Sequence, residues 1–234
     1  KIIALSTLIA TTRCLSMAAL ILRPFDPRGE KVNRLGRLWA TIHLRACGIT
    51  VSVEGLEHMV ETPAILMCNH QSTLDIFALL SSLRLPFKWV AKKELFSVPF
   101  LGLALRAGRN IAIDREHPRR ALKAMGEAAL RIREGDNVLI FPEGTWSKTD
   151  TLLPFKRGGF SLALRTGAPI VPVGIRGTRR LQPEGCLVPQ AKGLIEVRVG
   201  RPIPVKAGGQ SAKAALMLEV RSHIERLASP EPAG

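Results

Sequence analysis

From Gly48 onward, short apolar runs alternate with helix-period segments, and this alternation restricts the fold more than any other feature of the chain. The runs are ITVSVEG (49–55), AILMC (64–68), KWVA (88–91), NIAI (110–113), NVLIF (137–141), IVPVGI (170–175) and IEVRVG (195–200). Several are apolar at consecutive positions, a pattern a strand needs only when both of its faces are buried. Helical patterns lie between them near 74–82, 93–107, 118–134, 157–166 and 211–228. The third opens HPRRA, with proline where a helix tolerates it, and stops at Glu134-Gly135. The alternation predicts an α/β fold: a mostly parallel central sheet of about seven strands, covered by helices on both faces. No internal repeat and no Pro/Ser-rich linker interrupts 48–228, which reads as one domain, and 229–234 read as a flexible tail.

The segment before it is of another kind. Residues 2–22, IIALSTLIATTRCLSMAALIL, are apolar or small except for Arg13. As a helix they would reach about 30 Å, the thickness of a bilayer's hydrocarbon core. A buried core helix and a signal peptide are the competing readings, although no small-residue cleavage site follows. Arg23, Arg28, Lys31, Arg34 and Arg37 come directly after, which favours a membrane-embedded or interfacial helix with a basic cytoplasmic flank. RPFDPRG (23–29) is a turn-rich break. Beyond it Val32, Leu35, Leu38, Trp39, Ile42 and Ala46 recur at helical spacing, with Lys31, Arg34, Arg37 and Arg45 elsewhere on the wheel. Residues 1–47 are therefore expected to form a two-helix membrane-docking hairpin. The chain starts at Lys1, which leaves a preceding segment open.

The charge balance asks for an anionic partner. With 34 Lys+Arg against 19 Asp+Glu, the chain carries +15. Nucleic acid, an anionic membrane surface or a phosphorylated substrate would each suit that excess. With no Tyr, 8 Phe and 3 Trp, there is little from which to build a base-stacking platform, so nucleic acid is not expected. Cys14, Cys47, Cys68 and Cys186 are scattered, without metal-ligand spacing or a disulfide framework, and read as reduced structural thiols. Cys68 adjoins a polar motif, but a small cysteine at a strand end is commonly a core residue. His43, His58, His117 and His223 have no carboxylate at a useful spacing and read as surface or helix residues; no metal is expected.

Two polar loops follow strand signals. The first, CNHQSTLD (68–75), ends a core strand on Asn69-His70 and sets Asp75 in the first turn of the next helix. A carboxylate there can hold one imidazole nitrogen, fix the tautomer and leave the other nitrogen as a base for a hydroxyl. A structural histidine with Asp75 as a helix cap fits that stretch equally well. The second loop, PEGTWS (142–147), offers a carboxylate, a flexible glycine and two hydroxyls to the same sheet edge, which a plain turn would not require.

NHQSTLD resembles the NHxxxxD motif, and FPEGTWS the FPEGTRS motif, of the 1-acyl-sn-glycerol-3-phosphate acyltransferase family. KKELFSVPFLG (92–102) with NIAIDR (110–115), and IVPVGIRG (170–177), resemble two further blocks of the family in the expected order. The resemblance spans roughly 50–205 and implies acyl transfer from a thioester, acyl-CoA or acyl-carrier protein, to a lysophospholipid hydroxyl, without a cofactor. It makes His70 the general base, Asp75 its orienting partner, and Asn69, Glu143, Gly144 and Thr145 lining of the substrate site. Backbone amides near 69–72 are the first candidates for the oxyanion. It also implies a membrane-associated protein on the cytoplasmic face of the inner membrane, with lipid surface, lysophospholipid and acyl thioester as partners.

One position departs from the family. Trp146 stands where the family's arginine holds the acceptor phosphate, and an indole N–H cannot replace a bidentate guanidinium. Lys93, Arg115, Lys148, Lys156 and Arg157 are the candidates to compensate; the last two open a helix, whose dipole adds to their field. The alternatives are an acceptor with another head group, with Trp146 packed against it, glycerol-3-phosphate, a hydrolase, or a non-catalytic basic membrane-binding protein.

Overall fold

The computed structural model describes residues 1–59, 62–83, 85–206 and 208–230. Seven strands form one sheet in the order β1 (Ile49–Glu54), β7 (Gly193–Val199), β6 (Ile170–Arg176), β2 (Ile65–Cys68), β5 (Asn137–Ile140), β3 (Phe87–Lys92), β4 (Ile111–Ile113). All neighbours are parallel except β6 and β7, so β1 and β7 run against the other strands. β2, β3, β4, β5 and β6 consequently end on one edge.

The consecutive apolar residues divide between two cores, as the period of a strand requires. Leu66, Cys68, Leu139, Val171 and Val173 point to one face, covered by α3 (Leu74–Ser82) and α2 (Glu30–Ala46). Ile65, Met67, Val138, Ile140 and Ile170 point to the other, under α5 (Pro118–Arg133), α6 (Arg157–Thr166) and α8 (Gln210–Ala228). α1 (Ile2–Leu22) lies against α2 and α4 (Leu101–Ala107). It buries only Ala4, Ser16 and Ala19, which sets aside the core-helix reading. Its polar tie to α2 is a hydrogen bond from Trp39 Nε1 to Thr12 Oγ1 (3.0 Å). The turn between the two helices is fastened to the amino edge of the sheet: buried Lys88 Nζ donates to Arg28 O, and Asn33 donates to Phe87 O at 3.1 Å.

The expected helix 93–107 is broken. Lys93–Ser97 form a 3₁₀ turn and α4 starts at Leu101. Pro99 forces Val98 into an extended conformation, and Phe100 has a φ of 64°. Gly102 permits this crossing, since a Cβ there would stand 2.1 Å from Phe96 O. A short helix α7 (Thr178–Leu181), which no sequence signal announced, follows β6. In the expected tail Ser229 is bonded to Glu225 and Arg198, and 231–234 lie outside the described residues.

His43, expected at the surface or on a helix, is on α2 but buried, only 1% exposed, its ring 4.5 Å from that of Phe77. Burial lowers its pKa to about 4. The unfolded chain protonates this histidine near its ordinary value of about 6.5, whereas the folded chain resists until about 4. The neutral ring's contribution is therefore complete above pH 6.5 and is lost as pH falls toward 4. Chemical unfolding should show about 2 kcal/mol lost between pH 7 and pH 5. His43→Leu should remove most of that slope, and an unaltered slope would place its origin elsewhere.

Candidate active site

β2 ends at Cys68, and the chain turns through Asn69 and His70 into α3. His70 Nδ1 lies 2.8 Å from Asp75 Oδ2, with His70 6% exposed and Asp75 0%. The same oxygen accepts the backbone N–H groups of Gln71 (2.7 Å) and Ser72 (2.9 Å). An oxygen held by two N–H donors acts as an acceptor toward the imidazole too. Nδ1 therefore carries the proton, and Nε2, which makes no hydrogen bond among the described residues, presents a lone pair. Asp75 sits in the first turn of α3, where the helix dipole favours a carboxylate.

Phe141, the residue after β5, stacks on the imidazole with centroids 3.7 Å apart and planes 7° from parallel. Trp89 in turn stacks on Phe141 at 5.8 Å. Trp146 meets His70 edge-on at 5.8 Å and is 39% exposed. The ring of His70 is thus gripped by its Asp75 bond, by one aromatic face and by one aromatic edge. Phe141 lies within the FPEGTWS motif, but nothing in the sequence indicates which way its ring points.

Asn69 and Glu143, expected to line the substrate site, each also hold backbone groups of neighbouring elements. Asn69 is 1% exposed and clamps β2 to β6, accepting from Ile175 N (2.7 Å) and donating to Ile175 O (2.8 Å). Glu143, also 1% exposed, accepts His70 N–H on Oε1 (2.8 Å) and Leu153 N–H on Oε2 (2.7 Å). Burial raises its pKa, and these two backbone bonds oppose the rise. Ser147 N–H donates to His70 O at 2.7 Å, so the two motif loops are laced from both sides. The amides of His70, Gln71 and Ser72 are committed to Glu143 and Asp75, which removes them as oxyanion donors.

The cations separate into two groups. Lys93 is bound to Asp114 (2.7 Å) and Lys148 to Glu184 (3.0 Å). Asp114 also accepts from His117 and Arg120, and the Lys93 bond first, then those of His117 and Arg120, holds its carboxyl well below the usual range. Lys156, Arg157 and Arg115 are exposed, with no ion pair among the described residues. Lys156 is the one placed at the loop: its Cγ lies 3.2 Å from where a Cβ on Gly144 would stand, and Gly144 has a φ of 75°. Thr145 is exposed beside it. Cys68 is fully buried, and burial pushes its thiol well above the usual value, so it has no character of a nucleophile.

This fold and site place the chain in the acyltransferase class, and the family described as Acyltransferase matches residues 50–176. A chloroplastic 1-acyl-sn-glycerol-3-phosphate acyltransferase of Arabidopsis thaliana is 35% identical over 182 residues, 76% of this chain and 51% of that protein. The 1-acyl-sn-glycerol-3-phosphate acyltransferase of Pseudomonas aeruginosa is 34% identical over 198 residues, covering 80% of this chain and 76% of its own length. The crystal structure of the 1-acyl-sn-glycerophosphate acyltransferase of Thermotoga maritima superposes with a TM-score of 0.70 at 25% identity, over 88% of this chain and 81% of that one. This chain belongs to the 1-acyl-sn-glycerol-3-phosphate acyltransferase family. It spans about half the length of the chloroplastic relatives it matches.

Proposed function

We propose that this chain transfers a fatty acyl group from a thioester, acyl-CoA or acyl-carrier protein, to the sn-2 hydroxyl of 1-acyl-glycerol-3-phosphate, giving phosphatidic acid for phospholipid synthesis. The observation that carries the reading is the 2.8 Å His70–Asp75 bond at the end of a central strand, with Nε2 unbonded among the described residues. Nε2 takes the acceptor's hydroxyl proton as that oxygen attacks the thioester carbonyl, and Asp75 stabilises the imidazolium. The tetrahedral intermediate collapses by breaking its C–S bond, and the proton on His70 passes to the departing thiolate. No acyl-enzyme is needed, which agrees with the inertness of Cys68.

The acceptor is held in a bilayer, and α1 supplies the means to reach it. Ile2, Ile3, Leu5, Ile9, Met17, Leu20 and Ile21 are exposed on this helix, with Val98 and Leu103 exposed on the segment beside it. Burying one such side chain contributes roughly 1.5–3 kcal/mol, and the helix fully buries only Ala4, Ser16 and Ala19 against the body, with Leu8 partly covered. Basic residues of α2 add up to about 1 kcal/mol each near anionic lipid. The reading places the protein on the cytoplasmic face of the inner membrane, docked at headgroup level.

With Trp146 in place of arginine, Lys156 is assigned to the acceptor phosphate. The test offers labelled acyl-CoA with lysophosphatidic acid and a panel of other lysolipids in vesicles. Phosphatidic acid is the expected product, and Lys156→Met should raise the KM for lysophosphatidic acid roughly tenfold, the loss of one charge-assisted bond. Acylation of a different head group alone would change the acceptor; free fatty acid alone would make the protein a hydrolase; no reaction with either donor would end the catalytic reading.

A further inference from the structure

A groove of about 890 Å³ opens beside the catalytic loop and has no part in the chemistry above. Asn69 and Gln71, which flank His70, line it, together with Arg176, Arg179 and Arg180. Its size is within the range of small-molecule sites, about 300–1,000 Å³. Its position on the fold is informative. Along β7, Ile195 and Val197 face the core beneath α2 and α3, so Leu194 and Glu196, which line the groove, face the opposite side with the end of α8. The groove thus opens on the face of the sheet away from the α1–α2 pair and its exposed apolar surface.

The two substrates of the proposed reaction differ in the same sense. The acceptor is a lipid, and it arrives from the apolar side. The donor is water-soluble, and its thioester is carried on a phosphopantetheine arm ending in phosphate. We infer that this groove receives the phosphorylated end of the phosphopantetheine thioester donor, with Arg176, Arg179 and Arg180 as its phosphate ligands and the arm running past Gln71 to His70. The inference rests on the acyl-transfer reading above.

The groove also carries acids. Arg179 is paired with Asp150 at 2.6 Å and Arg176 with Glu196 at 3.4 Å, and Glu225 is also among the lining residues. Asp150 is 80% exposed, so its pair is of the kind that contributes about 0–1 kcal/mol and is readily exchanged. A phosphate, with more charge and more acceptor oxygens, competes well for the same guanidinium. Arg180 is exposed and has no ion pair or hydrogen bond among the described residues, so it needs no exchange at all.

The experiment compares acyl-CoA with the matching acyl-pantetheine thioester, which has the same reacting group and no phosphate, at saturating lysophosphatidic acid in vesicles. In Arg179→Glu/Arg180→Glu the ratio of kcat/KM for acyl-CoA to that for acyl-pantetheine should fall at least tenfold, through the donor KM. Binding of CoA itself to the protein should weaken in step when measured by calorimetry. A parallel fall with acyl-carrier protein puts the arginines on the phosphate the two donors share. A fall with acyl-CoA alone puts them on its nucleotide phosphates. An unchanged ratio in an active protein overturns the inference and leaves the acyl-transfer reading standing, as does an equal loss on both thioesters, which would mark a structural role. A wild-type protein that acylates no lysolipid from any thioester overturns both.

Discussion

His70→Ala should lower kcat for acyl transfer by roughly 10²- to 10⁴-fold, the usual contribution of a positioned general base. The donor and acceptor KM values should stay within a few-fold. Asp75→Asn should cost a comparable factor by a different route. The amide can still accept from Gln71 and Ser72, so the loop keeps its shape, but an uncharged partner no longer stabilises the imidazolium. The two substitutions together should lose little more than the worse of them alone, because the pair acts as one unit. Cys68→Ala is the control, since a thiol buried under β2 has no route to a substrate. Labelled acyl transfer in mixed micelles, with thermal melts to establish folding, reads all four. His70→Ala retaining more than about a tenth of kcat would remove the base from the mechanism.

The layout of the sheet was legible because its strands announce themselves. β2, β5 and β6 are buried on both faces, and only a two-sided core makes residues such as Ile65, Leu66 and Met67 apolar in succession. The helix at 93–107 was misread for the opposite reason. Its apolar spacing continues through Pro99, and the contact that breaks it is the approach of Gly102 to Phe96 O within the crossing. The His70–Asp75 pair could be anticipated because both partners lie in one turn. The backbone partners of Asn69 and Glu143 could not be read from the sequence: Ile175 and Leu153 lie far along the chain or in a loop without pattern. A polar residue in a motif loop looks the same in sequence whether it meets a substrate or a backbone amide. The same limit applied to the cations, since Lys93 and Lys156 differ only in that Asp114 lies within reach of the first.

The second large effect is expected at Glu143, and it separates those two possibilities. A residue that binds the acceptor would, when shortened, raise the acceptor KM and leave the fold intact. Glu143 instead satisfies two backbone N–H groups, His70's own, which is buried, and Leu153's, which is partly buried. Glu143→Ala strands both, at roughly 1–3 kcal/mol for the buried His70 amide and less for the partly buried Leu153 amide, and loosens the loop that carries the base from the loop that carries Phe141 and Trp146. The variant should therefore melt lower and lose kcat by at least about tenfold, because an imidazole displaced by an ångström no longer meets its hydroxyl. Its acceptor KM should move less than about threefold, well short of the tenfold expected for a lost phosphate contact. Glu143→Gln should give only partial rescue. Its carbonyl can serve one amide, but its NH₂ must face the other as donor against donor. Melting curves with kcat and KM for Ala, Gln and wild type decide the matter. An acceptor KM that rises tenfold at unchanged kcat and unchanged melting temperature would return Glu143 to the substrate and leave the lacing of the two loops to the Ser147–His70 backbone bond and the Gln71–Thr149 bond.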